Sequence, residues 1–124
     1  MKIFIVEDDE SRITKFKEKF AHIEEAELYI NRTASEAIKV LDENEDVMWD
    51  LMLLDHDLGG RVYVESADHN TGYQVAKHIK EKGIKYYNVI THSLNPIGAE
   101  NIMGQLEGCN HIPFTILKDM EFDY

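Results

Sequence analysis

The sequence predicts a three-layer α/β domain built on a five-stranded parallel sheet of order 2-1-3-4-5, and three observations carry that prediction. Short apolar runs alternate along the chain with stretches whose apolar residues recur every three or four positions. Two of the runs, Lys2 to Val6 and Trp49 to Leu54, empty directly into acid, at Glu7-Asp8-Asp9-Glu10 and at Asp55-His56-Asp57. These runs are also nearly continuous in apolar residues instead of alternating, the pattern of parallel strands buried on both faces beneath helices. At 124 residues the whole chain, 1–124, is expected to form one domain.

The elements follow in order. After the first strand, Lys2 to Val6, the residues Ile13, Phe16, Phe20 and Ile23 recur at helical spacing and give an amphipathic helix from Ser11, its stripe set to cover the sheet. Ala26 to Ile30 reads as a second strand. Thr33-Ala34-Ser35-Glu36 matches a capping box, in which the threonine and glutamate satisfy backbone N–H groups at a helix start; Ala37, Ile38 and Leu41 continue that helix. Trp49 to Leu54 is the third strand. Gly59-Gly60 marks a turn, and Arg61 to Glu65 is either a small hairpin arm or an irregular excursion. Asn70 or Thr71 caps a third helix carrying Val75, Ala76 and Ile79 and closed by Gly83. Tyr86 to Thr91 is the fourth strand. Asn95-Pro96 starts a fourth helix, asparagine as N-cap and proline at the first helical position, and Gly108 stops it. Ile112 to Leu117 reads as the fifth strand, and the six residues after Lys118 leave no room for a full fifth helix. Strands alternating with helices imply right-handed crossovers and helices on both faces.

Charge narrows the function. Against 24 acidic residues stand 13 basic ones, a formal net charge of -11, so the long-range field opposes broad duplex binding and anionic membrane surfaces. A bound divalent cation reverses the sign locally, which keeps a small phosphorylated ligand or a nucleic-acid terminal phosphate compatible with the chain. No apolar run approaches the ~20 residues of a membrane span, and the first residues turn acidic too soon for a signal peptide. With a single cysteine, Cys109, read as an idle thiol, a cytoplasmic location without a membrane partner is expected, and a homodimer is left open.

In open sheets of this order the ligand crevice lies at the carboxyl ends of the strands, between the first and third. Neighbouring strands run about 4.8 Å apart, so Asp8, Asp9 and Asp55 are expected within a few ångströms of one another. Like charges at that range raise one another's pKa or recruit a cation, and an all-oxygen cluster suits magnesium, with manganese as a substitute. The alternative reading makes the same acids ordinary strand ends and helix caps. His56 reads as a metal ligand, a general acid or a surface residue. His92 and Ser93 are consecutive and point to opposite faces of an extended strand, which makes them a poor base and nucleophile pair. Arg61 either grips a phosphate bidentately or is solvated, and the turn Asn95-Pro96-Ile97-Gly98 either presents backbone N–H groups to an anion or merely caps a helix. Asp68, His69 and Asn70 lie in the 58–71 insertion, a lid or a solvated loop, and a helix cap is the plainer role for Asn70.

These motifs resemble those of response-regulator receiver domains: the acidic pair in IFIVEDDE, the aspartate in DLMLLDHDLGG, a hydroxyl in NVITHSLNP and a lysine in FTILKD, spread over nearly the whole chain. The resemblance implies the three-layer flavodoxin-like fold. By position it implies Asp8 and Asp9 as the metal-binding pair and Asp55 as the phosphate acceptor. It further implies a backbone carbonyl of Asp57 in the metal site, Ser93 as the hydroxyl that contacts the phosphoryl group, and Lys118 as the lysine. Asp119 in place of proline after Lys118, the long segment from Asp57 to Gly72 and the short end depart from signalling receivers. LDHDLGG, TGYQVAKHI and THSLNPIGAENI are more similar to the receiver-like branch described as cyclic-phosphate-processing, with His56, Asp57, His92, Ser93 and Asn95 as its distinguishing polar set. That branch implies metal-dependent processing of a phosphate ester; a phospho-acceptor switch on Asp55 and a non-catalytic module for a phosphorylated ligand are the alternatives.

Overall fold

The structure, a computed structural model, describes residues 1–122. Its parallel strands are β1 (Lys2–Val6), β2 (Glu27–Asn31), β3 (Met48–Leu54), β4 (Lys85–Thr91) and β5 (Asn110–His111), in the order β2-β1-β3-β4-β5. The helices are α1 (Glu10–Phe20), α2 (Ala34–Glu43), α3 (Gly72–Lys82), α4 (Pro96–Gln105) and the single turn α5 (Phe114–Leu117). The predicted three-layer architecture is therefore the observed one. Among the described residues no helix is long and apolar enough to cross a membrane.

Strand parity divides the core into two layers. Phe4, Val6, Met52, Leu54 and Val89 face α2, α3 and α4 and pack with Leu41, Val75, Ile79 and Ile102. Ile3, Ile5, Leu51, Leu53 and Ile90 face the other way, onto Phe16 and Phe20 of α1 and Leu117 of α5. Register then aligns the strand ends, pairing Val6 with Leu54 and Leu54 with Thr91. The next residue on each strand, Glu7, Asp55 and His92, continues the α1 face.

Capping chemistry sets several boundaries. Thr33 Oγ1 accepts from Glu36 N at 3.1 Å, as the capping box predicts, while the Glu36 carboxylate reaches Arg32 N at 3.2 Å. Asn95 caps α4 through Gly98 N at 3.0 Å, with Pro96 first in the helix. The N-cap position of α3 is Thr71, not Asn70, whose Oδ1 instead accepts from Ala34 N at 3.0 Å and ties the insertion to α2. Ile23 lies beyond the end of α1 at Phe20, yet still packs on that layer.

The fifth strand differs most from expectation. Only Asn110 and His111 pair with β4, and the expected strand residues 114–117 form α5. Pro113 supplies no N–H to a ladder, and beyond it Leu117 N bonds back to Pro113 O at 2.9 Å, a helical turn that reuses the apolar spacing of Phe114 and Leu117. One consequence reaches the site. Lys118, expected beside the acids, is carried onto an exposed surface with Lys15, Lys19 and His22, where its carbonyl accepts from Lys19 Nζ at 3.4 Å.

Candidate functional site

The carboxyl ends of β1 and β3 open into a cavity of about 490 Å³ lined by Glu7, Asp8, Asp55, Arg12, Asp57 and Tyr63, among others. Glu7 and Asp55, both buried, stand on the α1 face together with buried His92. One ligand atom from each of the three lies within 4.8 Å of the others. Glu7 Oε1 is 2.9 Å from His92 Nε2, and Glu7 Oε2 accepts from the backbone of Asp8 at 3.0 Å and Asp9 at 3.1 Å. An ionised carboxylate only accepts, so Nε2 carries the hydrogen. The His92 ring packs edge-on against Phe16 at 5.1 Å, and its Nδ1 has no partner among the described residues.

Arg12, in the first turn of α1, is the cation of the site. Its guanidinium lies 3.6 Å from Glu7 Oε1 and 3.8 Å from Asp55 Oδ2, and stacks 5.1 Å over the Phe114 ring. Two buried acids nonetheless outweigh one half-buried arginine. Burial, then the neighbouring charge of Glu7, raises Asp55 well above the ordinary carboxylate range, against the pull of Arg12 and of His56 N on Oδ1 at 2.9 Å. Burial also pushes Glu7 upward, but its bond to His92, that ring's electrostatic pull and the Asp9 N–H bring it below its usual value.

A group whose folded pKa is raised makes the folded state hold the proton more tightly, so stability falls as pH rises past the unfolded value. Asp55→Asn is therefore expected to stabilise the metal-free chain by about 1–2 kcal/mol at pH 7. Melting in chelator at pH 7 and pH 4 checks this, since the gain must shrink at acid pH where Asp55 is already protonated.

The residues expected to join Asp55 divide into two groups. Asp8 faces the cavity, its Oδ2 accepting from Gly60 N at 2.7 Å. Asp9, expected as a metal ligand, is instead the N-cap of α1, with Oδ1 accepting from Arg12 N at 3.0 Å and from Ser11 Oγ. Those bonds, Ser11 first, lower its pKa. Its carboxylate sits at the exposed rim because the chain has left the strand by residue 9.

Asp57 organises the insertion. Its carboxylate accepts from His56 Nδ1 at 2.7 Å, Tyr63 N at 2.6 Å, Val64 N at 3.2 Å and Asn95 Nδ2 at 3.1 Å, and its backbone bridges to Thr71 across the base of the excursion. Burial raises Asp57, but those bonds, His56 foremost, bring it below the usual carboxylate range. The 61–65 stretch is irregular, with Tyr63 held at φ 53° and Arg61 tied to Asp68 at 3.2 Å. Arg61 still lines the crevice. His56 is fully buried away from the acids, between Asp57 and Ser66 Oγ, the latter 2.8 Å from Nε2. Ser93 Oγ accepts from Asn95 N at 3.0 Å, in a local turn. His92 and Ser93 thus separate, as their parity predicted.

Sequence reasoning missed Glu7, Arg12 and Ser66. Glu7 had a signal: Ile3, Ile5 and Glu7 share one face at a period of two, the face that Asp55 continues from Leu51 and Leu53. Arg12 and Ser66 had none, because their neighbours are set by where a helix and a long loop pack.

The order of the sheet and acids gathered at its switch point define a receiver domain. A family model described as "Cyclic-phosphate processing Receiver domain" matches residues 1–108, and the chain belongs to that family. Similar solved structures include the phosphorylated cyanobacterial phytochrome response regulator RcpA, at 25% identity and TM-score 0.68, covering 94% of this chain and 88% of that one. The Mn(2+)-bound response regulator Rcp1 aligns at 24% identity and TM-score 0.62, over 89% of this chain and 78% of that one. TrrA from Thermotoga maritima, in complex with Mg(2+)-BeF, aligns at 18% identity and TM-score 0.65, over 90% and 84%. No curated protein matches the chain significantly.

Proposed function

We propose that the crevice binds a divalent cation and processes a phosphate ester of the cyclic-phosphate class, in keeping with the family's description. The observation that carries this reading is Asp55, a carboxylate raised first by its own burial and then by a second buried acid, which Arg12 only partly offsets. A cation relieves that conflict. Glu7, Asp8 and Asp55 are the residues that would hold it, and hard carboxylate oxygens suit magnesium, with manganese as substitute. Rcp1 and TrrA, of the same fold, carry Mn(2+) and Mg(2+). When bound, the cation neutralises charge on the phosphoryl oxygens. Arg12 adds a fixed positive charge at the same wall, Arg61 contributes a second guanidinium at the rim, and Asp57 holds the rim closed through Tyr63 and Val64. Asn95 acts on the phosphate only through that scaffold, since both ends of its amide are engaged by the protein.

Calorimetry with magnesium, then turnover of a nucleoside 2′,3′-cyclic phosphate, tests the reading. Magnesium-dependent turnover lost in Asp55→Asn is expected; equal turnover in that variant or in chelator overturns it.

A phospho-acceptor role is the second reading, favoured by the phosphorylated state of RcpA and the position of Asp55 at the end of β3. Intact mass after acetyl phosphate separates the two: a stable adduct on Asp55 without ester turnover establishes the switch.

A further inference from the structure

We propose that Ser66 is an activated nucleophile relayed through His56 to Asp57, and that the cavity beside it takes a small carboxylic ester. This centre adjoins the acidic crevice, sharing Asp57 with its wall, but opens through a different cavity and needs no metal. Ser66 Oγ lies 2.8 Å from His56 Nε2, and His56 Nδ1 lies 2.7 Å from Asp57 Oδ1. The hydrogens follow from the acceptors. The Asp57 carboxylate only accepts, so Nδ1 carries the ring hydrogen and Nε2 presents its lone pair. Asn101 Nδ2 donates to Ser66 Oγ at 2.9 Å, so the hydroxyl hydrogen is free to point at Nε2. A nucleophile, a base and a carboxylate that orients the base stand in hydrogen-bond reach in one line.

The base is rigid and the nucleophile is reachable. His56 is fully buried, and a Cβ on Gly98 would lie 2.4 Å from its Cγ, so α4 holds the ring in place. Asp57 is fixed by Tyr63 N, Val64 N and Asn95 Nδ2. Ser66 is half-buried and borders a cavity of about 390 Å³ walled by Tyr63, Val64, Ala67, Ile97 and Asn101. Tyr63 and Asn95 border both this cavity and the acidic crevice. The apolar wall fits a short acyl chain. At the start of α4, Pro96 has no N–H and Gly98 N is taken by Asn95 Oδ1, so Ile97 N, with the second hydrogen of Asn101 Nδ2, supplies the donors for a developing oxyanion.

In the reaction, a bond forms from Ser66 Oγ to the acyl carbon as the ester C–O bond breaks. The hydroxyl proton moves to His56 Nε2 and then to the leaving alkoxide. Water, deprotonated by His56, then cleaves the acyl-serine to the carboxylic acid and restores the hydroxyl.

Diisopropyl fluorophosphate provides the test, because an activated serine hydroxyl forms a Ser–O–P bond with it, with loss of fluoride. The full chain is expected to gain one adduct, mapped by peptide mass to Ser66, at an undiminished rate in chelator. Ser66→Ala, shown folded by its circular dichroism, should react at least about 100-fold more slowly, and should lose the p-nitrophenolate burst from p-nitrophenyl acetate. Mapping on the unaltered chain decides the matter without any variant. No adduct, or one mapped to another residue, overturns the proposal and leaves Ser66–His56–Asp57 a structural latch.

Discussion

Gly72→Ala is expected to destabilise the chain by about 4 kcal/mol or more, or to abolish folding, because the new methyl group has nowhere to go. A Cβ built on Gly72 falls 1.6 Å from the Asp55 carbonyl oxygen, 2.7 Å from the Asp55 carbonyl carbon and 3.2 Å from His56 Cα. All three are backbone atoms that no rotamer change can clear. The contact is also fastened, since Gly72 N donates to His56 O at 2.9 Å. Glycine here lets the start of α3 lie against the strand end carrying Asp55. Urea denaturation compares this variant with Gly104→Ala, where nothing lies within 4 Å and the helix interior gains about 0.5–1 kcal/mol from alanine. Similar midpoints for the two variants would show that the close approach does not constrain the fold.

His92→Ala is expected to cost about 3–4 kcal/mol, which for a domain of this size lowers the melting temperature by roughly 10–15 °C. Two losses add. The Glu7 carboxylate, buried and held below its ordinary pKa by His92, loses its hydrogen bond to the His92 ring. A ring packed on Phe16 and Phe114 also leaves a void between β4 and α1. A double-mutant cycle separates them. If the ion–ring pair is the main term, Glu7→Gln with His92→Ala loses about 1–2 kcal/mol less than the sum of the single variants. Strict additivity would show that packing alone accounts for His92.

The acid crevice, the fold class and the order of elements were legible because each rests on local pattern. An apolar run that stops at Glu7 or Asp55 marks a buried strand end whatever packs on it. The Thr33 and Asn95 caps depend on residues within one helical turn. The membership of the site was only half legible. Asp8 and Asp55 line the crevice, whereas Asp9 caps α1 and the buried acid beside Asp55 is Glu7, because Ile3, Ile5 and Glu7 share one face at the strand's period of two. Lys118 lies away from the acids because of the segment before it. Phe114, Ile116 and Leu117 suit either a strand or a helical turn, and the missing N–H of Pro113 decides for the turn.

By itself, then, the sequence determined a receiver-type α/β domain with acids at the ends of β1 and β3, since hydrophobic periodicity, caps and breakers act over a few residues. The tertiary structure alone decided which side chains meet there. Parity and register brought Glu7, Asp55 and His92 together, the first turn of α1 placed Arg12 instead of Lys118 as their cation, and the 58–71 excursion set Ser66 against His56. Those pairings join residues up to 85 positions apart, and their geometry follows from how whole elements pack.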